Sequence, residues 1–339
     1  MRRRLDPDQL TAILFITPSI IAILIFVYGF IGWTGWASML KWDNIARIPE
    51  GKIFPEVDFA GFENYSRLLL TDQRFQTDLR NTVVFTLIFI AACLFLGLFL
   101  AILLDQKVKG ESIFRSIYLF PMAVSFIVTG VVWRWLLNPG NSVSGPVGVN
   151  LLFQNLGLGF LQSGWYTNPT IWFVSPESGV GQFLQAIGLD FFTTPKFGIP
   201  LAILSVVLAA TWQMSGYTMA MYLAGLRGIP EELREAARVD GANEIEIYRH
   251  IILPLMRPIT LSAVIILGHI SLKIFDLVSA MTGPGPAFAT DVPAYYMFDT
   301  VFRGNHFARG AAIAIILLIS VAVLVVPYLI NNMRTEIQK

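Results

Sequence analysis

Six stretches of about 20 mostly apolar residues, separated by polar segments, constrain this chain more than any other feature. They fall at roughly 10–37, 81–104, 113–137, 198–226, 259–280 and 310–330. At about 1.5 Å of rise per residue, a helix of that length crosses the hydrocarbon of a bilayer. Inside lipid a helix satisfies its own backbone polar groups, so such stretches are expected to be helical. Charge usage agrees: 14% of residues are charged and 55% hydrophobic, against about 25% charged in a soluble domain. The sequence therefore reads as an all-α membrane protein with six transmembrane helices.

The orientation follows from the basic residues. Met1-Arg2-Arg3-Arg4 precedes an apolar run that continues to about Ile31. That run exceeds the roughly 7 to 15 residues of a secretory signal core, and no Ala-x-Ala-like site follows, so it is expected to be the first span. With that end inside, segments 1–9, 105–112, 227–258 and 331–339 are cytoplasmic. They hold Arg2, Arg3, Arg4, Lys107, Lys109, Arg227, Arg234, Arg238, Arg249, Arg257, Arg334 and Lys339, and Arg115 lies just inside the third span. These are 13 of the 24 basic residues, on segments short enough for the positive-inside bias to apply. The expectation is a multi-pass protein of the plasma (inner) membrane with both termini in the cytoplasm. A net charge of +1 carries no argument for nucleic acid. The one cysteine, Cys93, excludes an internal disulfide and leaves the redox compartment unread.

Three outer segments are long: about 38–80, 138–197 and 281–309. The middle one exceeds a simple connection. Its best apolar piece, 151–161, contains Gln154 and Asn155 and is too short to span. Trp165, Tyr166, Trp172 and Phe173 sit there among Gly, Pro, Ser and Asn. Two readings stand open: aromatics anchoring a loop at the membrane interface, or a cap that meets another protein or shapes a path. The sequence shows no inverted internal repeat of the kind found in many ion-coupled carriers.

Between the fourth and fifth apolar runs lies a charged, helix-prone stretch. Pro230-Glu231-Glu232 is a helix start, because proline suits the first turn and acids suit the positive end of the helix dipole. This helix is expected to run to about Asp240 and to stop at Gly241, which readily takes the backbone that ends helices. Asn243 with Glu246 three residues on predicts a capped second helix, ended or kinked at Leu253-Pro254. Ala236 and Ala237 are small enough to let another surface approach the helix backbone, with Glu235 and Arg238 free to pair across that contact. By local chemistry alone this could equally be a solvated helix with weak ion pairs.

The full spacing is Glu235-Ala236-Ala237, three residues, Gly241, nine residues, then Ile251-Ile252-Leu253-Pro254. It resembles, at every defined position, the cytoplasmic loop of binding-protein-dependent ABC transporter permeases. Phe59-Ala60-Gly61-Phe62-Glu63-Asn64-Tyr65 resembles the Phe-x-Gly-Leu-x-Asn-Tyr of the sugar-transporting branch. Asn81-Thr82 opens the second span as in relatives. Phe275-Asp276, Thr282-Gly283-Pro284-Gly285-Pro286, Thr290, Tyr296, Phe298 and Gly310-Ala311-Ala312 continue the likeness, with Pro284 standing where the family has glycine. The resemblance covers nearly the whole chain. It implies a MetI-like permease core over 81–339, after an N-terminal span and outer loop over 1–80. The core would carry the outer insertion 138–197 and the coupling loop 227–258. It also implies a second permease subunit, two ATPase subunits docked on Glu235, Ala236, Ala237, Arg238, Asp240 and Gly241, and an extracytoplasmic solute-binding protein. The solute class implied is a di- or oligosaccharide, an α-glucoside or a glycerol glycoside. No cofactor is expected in this chain, since ATP and magnesium would sit in the ATPase partner. Its one Gly-Lys pair, Gly51-Lys52, is followed by Ile53 rather than by the Ser or Thr of a phosphate-binding loop. Closure of the ATPases on ATP would move the loops and open a central path outward, and hydrolysis would reset it.

Ionisable groups within spans are costly and point to function. His269, Lys273 and Asp276 are spaced to share one helical face, where Lys273 and Asp276 could neutralise each other. They form either a polar stripe on the solute path or a contact between helices. Trp212, Gln213, Ser215 and Tyr217 combine flat apolar faces with hydrogen-bonding groups, as a sugar ring requires, or they are packing residues. Trp133, Arg134 and Trp135 near the end of the third span suit an outer gate; alternatively Arg134 snorkels to headgroups or pairs with a loop. The rival functions are an ion-coupled secondary transporter using Lys273 and Asp276, and an intramembrane enzyme. The first has no need of the Glu-Ala-Ala loop. The second lacks a nucleophile motif and a His/Glu metal signature, so no catalytic or metal residue is assigned.

Overall fold

The computed structural model describes residues 7–42, 57–106, 109–143 and 145–337. Arg2, Arg3, Arg4, Lys107, Lys339 and the Gly51-Lys52-Ile53 stretch lie outside the described residues, as does the side chain of Arg334. The principal helices are α1 (Pro7–Ile23), α2 (Phe30–Ala37), α3 (Gln73–Asp105), α4 (Glu111–Ala123), α5 (Phe126–Leu136), α6 (Leu201–Arg227), α7 (Glu231–Val239), α8 (Glu244–Ile247), α9 (Arg257–Leu272), α10 (Asp276–Met281) and α11 (Phe307–Ile337). A π turn, Leu24–Gly29, joins α1 to α2.

Four helices are long and apolar enough to cross a membrane: Ile13–Ala37, Gln73–Asp105, Leu201–Arg227 and Phe307–Ile330. Two bent pairs, α4 with α5 at 98° and Glu244–Leu255 with α9 at 62°, raise the number of candidate spans to as many as six. The fold is thus mostly helical with four to six candidate spans.

The chain divides into two compact units. One comprises Met1–Asp72 and Met297–Ile319. Here Asn64 of the Phe-Glu-Asn-Tyr stretch donates to the carbonyls of Ser38 and Leu40, both at 2.9 Å. A buried asparagine paired in this way closes the chain after α2, because helix-end carbonyls need partners when they leave water.

The other unit comprises Gln73–Tyr296 and Ser320–Lys339. Its frame is α3 packed along α6. One core joins Phe85, Phe89, Ile203, Val206, Met214, Leu267, Leu277 and Val278. A second joins Leu104, Leu223, Leu226, Ala237, Ile247, Ile252 and Met256. The expected second span begins earlier than position 81, since α3 starts at Gln73. Its added polar turns are held by specific partners: Arg74 reaches buried Asp291 at 2.7 Å, and Asn81 donates to the carbonyls of Phe288 and Asp291. Gly283 and Gly285 both take left-handed backbone, and Pro284 sits between them.

Two expected spans are not continuous. The third is broken at Val124 and Ser125, both extended, and Ser125 caps α5 through Val128 N–H. Pro121, which has no N–H to donate, sits in the last turn of α4. The fifth stops at Leu272 and restarts at Asp276 as α10. There α10 lies against α5, where a Cβ on Gly130 would come within 2.8 Å of the Ala280 side chain. Close packing between the two short helices competes with continuation of either long one.

The outer insertion is built rather than free. Ile171–Trp172 pairs antiparallel with Ile199–Pro200. Trp165 donates its indole N–H to Asn150 at 2.8 Å, and Trp165 and Tyr166, both half-buried, pack on the first core. Trp172 is exposed and Phe173 is on the edge of exposure.

Candidate functional site

The polar loop between α6 and α9 folds as its residues dictate. Glu231 and Glu232 occupy the first turn of α7 and Arg238 the last, each sign suited to its end of the dipole. Gly241 adopts φ +87°, the left-handed backbone that stops the helix. Asn243 and Glu246 form a complete capping box: Asn243 accepts from Glu246 N–H at 3.0 Å, and Glu246 accepts from Asn243 N–H at 2.8 Å. A π turn, Tyr248–Ile252, precedes Pro254, and the chain bends at Met256 before α9.

The structure separates the six loop residues. Glu235, Ala236, Asp240 and Gly241 are exposed. Ala237 is only 8% exposed and faces inward, against Leu226, Ile247, Ile252 and Met256. Its small size therefore serves packing within this chain. Arg238 is exposed, bonds Glu244 at 3.0 Å and lies 3.5 Å from Glu231. The Glu244 bond, with Glu231 beside it, lifts the guanidinium further above its ordinary value, so Arg238 stays charged. Glu235 has no ion pair among the described residues.

One residue of the loop escaped sequence reasoning. Arg234 reaches Asp105 at the end of α3, at 3.1 Å, and their side chains are 13% and 11% exposed. A second guanidinium nitrogen lies 3.4 Å from the Leu226 carbonyl at the end of α6. Asp105 places a negative charge at the negative end of the 33-residue α3, and Arg234 offsets both. The two partners are 129 positions apart, so no local pattern announces them. A parallel link joins Arg227 to Glu111 at 2.7 Å, tying the end of α6 to the start of α4. Together with the second core, these contacts fix α7 to α3 and α6. A hollow of about 750 Å³ opens beside α7, lined by Asp105, Glu231, Glu235, Arg238 and Tyr248 among others.

The residues proposed for a path are partly brought together. Trp133 and Trp212 meet edge to face, with ring centroids 6.0 Å apart. Trp212 keeps an exposed face, Tyr217 is half-buried and Ser215 is buried. Gln213 is buried too, and its amide donates to the Val124 carbonyl at 2.6 Å. Arg134 and Trp135 are exposed on the last turn of α5.

His269, Lys273 and Asp276 do not share a helical face. The break after Leu272 leaves Lys273 non-helical at φ −117°, and Asp276 opens a new helix. Lys273 and Asp276 form no ion pair among the described residues, so the neutralised stripe is not present. The reason is the packing of α10 against α5, which the spacing rule for an unbroken helix cannot anticipate.

Residues 94–337 match the family described as binding-protein-dependent transport system inner membrane component. The chain is 40% identical, over 99% of both proteins, to a probable ABC transporter permease protein of Pyrococcus horikoshii. It is 35% identical to the xylose/arabinose import permease protein XacH of Haloferax volcanii, over 83% of this chain and 77% of that one. Its fold is similar to a chain of a bacterial alginate ABC transporter solved in complex with an alginate pentasaccharide-bound periplasmic protein. There the TM-score is 0.68 at 20% identity, covering 97% of this chain and 95% of that one. With a family match over most of its length and a relative alike from end to end, this chain belongs to the binding-protein-dependent inner membrane components of ABC transport systems, as a permease subunit and not an enzyme.

Proposed function

We propose that this chain is a transmembrane subunit of an ATP-driven importer for a sugar or sugar-like solute, coupled to its ATPase through the 227–258 loop. The observation that carries the coupling is the attachment of α7 to α3 and α6 through Arg234–Asp105 and the Ala237 core. A push on α7 moves two long helices with it, because packed elements shift as rigid bodies. Glu235, Ala236, Asp240 and Gly241 present the docking face, while Ala237 and Arg238 hold that face in shape. The hollow beside it carries Asp105, Glu231, Glu235 and Glu244 against Arg234 and Arg238, a surplus of two negative charges that suits a basic element of the ATPase.

In this reading the chain crosses the plasma membrane six times, with both termini in the cytoplasm. The bent pair α4–α5 forms the third crossing and α9 with α10 the fifth. The division at about position 80, with the 138–197 insertion as an outer cap, follows from that topology. Partners are a second permease, two ATPase subunits that hold ATP and magnesium, and an extracytoplasmic binding protein. The carbohydrate class is supported by the xylose/arabinose relative and the alginate transporter; within it a di- or oligosaccharide or an α-glucoside is our choice. Trp212 offers a ring face for stacking on a sugar, with Ser215, Tyr217, His269, Lys273 and Asp276 as polar candidates along the path. Trp133, Arg134 and Trp135 flank its outer end.

Co-purification with the ATPase tests the docking reading. Glu235→Lys and Gly241→Pro should each abolish it, and unchanged association and uptake in both would sink it. Trp212→Ala and Asp276→Asn should reduce uptake with the complex still assembled; normal uptake in both removes them from the path.

A further inference from the structure

We propose that Gln213 is a positioning residue that holds the break between α4 and α5, about which α5 and α10 move together during transport. The α4–α5 pair turns through 98° within two residues, and Val124 and Ser125 are both extended. Such a turn frees backbone groups that a straight helix would have paired. Ser125 Oγ satisfies one end by accepting from Val128 N–H. The Val124 carbonyl is satisfied from outside its own segment, by the Gln213 amide at 2.6 Å.

Three further observations make this bond a link between moving parts. First, α4 is pressed on α6: a Cβ on Gly216 would run into the Tyr118 carbonyl, so α4 cannot slide there. Second, α5 packs closely on α10, at Gly130 and Ala280, and touches α6 through Trp133 and Trp212. Third, α10 is itself detached from α9 by the non-helical stretch at Lys273–Phe275. The pair α5–α10 is therefore bounded by two breaks, while α4 stays with α6. Gln213, on α6, reaches the junction between the fixed half and the movable half.

The state of the side chain excludes the simpler role of a solute ligand in this conformation. Gln213 is 3% exposed, and its amide nitrogen is used by Val124. Its Oε1 is buried with no hydrogen-bond partner among the described residues. Trp212, beside it in sequence, meets Trp133 of α5, so one turn of α6 touches both the break and the helix beyond it.

The inference rests on the transport reading, but its test does not require transport. Nitroxide labels on cysteines placed at exposed Ile113 of α4 and Val131 of α5 report the angle across the break by pulsed electron paramagnetic resonance in lipid nanodiscs. The parent should give a narrow distance distribution. Gln213→Met, similar in size but without a donor, should widen it roughly twofold, because the Val124 carbonyl loses its partner. Gln213→Glu should be narrow near about pH 5 and wide near about pH 9, since a buried carboxyl titrates well above its ordinary range and donates only when protonated. The parent measured at both pH values controls for every other titratable group. Equal widths in Gln213→Met and the parent, or a pH-independent width in Gln213→Glu, overturn the inference. Loss of ATP-driven uptake by the parent complex would instead count against the transport reading.

Discussion

The Arg234–Asp105 pair offers the sharpest perturbation of the coupling loop. Replacing Arg234 with Gln removes the cation that, among the described residues, pairs with Asp105 at 3.1 Å. Asp105 keeps 11% of its side-chain surface, so water replaces little of the lost partner. Breaking a buried pair on one side typically costs about 3 to 5 kcal/mol, and the residual exposure here argues for the lower end, about 3 kcal/mol. At 1.4 kcal/mol per tenfold, local opening of α7 should then rise by roughly a hundredfold. Amide hydrogen exchange of Glu231–Val239 reads that directly, and the second variant Asp105→Asn should restore much of the loss by removing the stranded charge. Transport should fall more than ATPase association, since the docking face persists while its tether is loosened. If Arg234→Gln leaves the exchange of α7 unchanged, the tether is not the pair, and the rigid-body argument for coupling fails.

Other outcomes follow from the same geometry. Ala237→Leu should lower stability by about 1 to 3 kcal/mol through overpacking, whereas Ala236→Leu should stay within about 0.5 kcal/mol; thermal unfolding of the purified chain separates them. Asn243→Ala should cost about 1 kcal/mol by removing the capping box, seen as faster exchange at Glu244–Ile247. Gly216→Val should cost at least about 2 kcal/mol, because its side chain meets the Tyr118 carbonyl, and should lower the yield of folded protein.

The apolar runs made the helices legible, because a membrane helix announces itself by length and composition alone. The loop was legible for a different reason: proline and acids at its start, Gly241 at its turn and the Asn243–Glu246 box are local signals that need no tertiary context. What the sequence did not carry is long-range. Pro121 and Ser125 are local signals for the first break that the apolar run masked, whereas no glycine or proline lies at Lys273–Phe275 to announce the second. The breaks depend on α5 meeting α10 at Gly130 and on Gln213 reaching back to Val124. Asp105 and Arg234 each look like a solvated charge until the fold places them together. The inward face of Ala237 was illegible for the same reason, since it is decided by Ile247 and Met256 rather than by its neighbours in the motif.

The central claim is that the energy of ATP hydrolysis in the ATPase partners, delivered through the 227–258 loop, powers movement of a carbohydrate through this subunit. The most direct measurement is uptake of a labelled oligosaccharide by proteoliposomes holding the complete complex, with its binding protein on the face opposite the loop. Uptake should require ATP on the loop side and persist when ionophores collapse all ion gradients. Uptake that proceeds without ATP and stops with the ionophore would contradict the account.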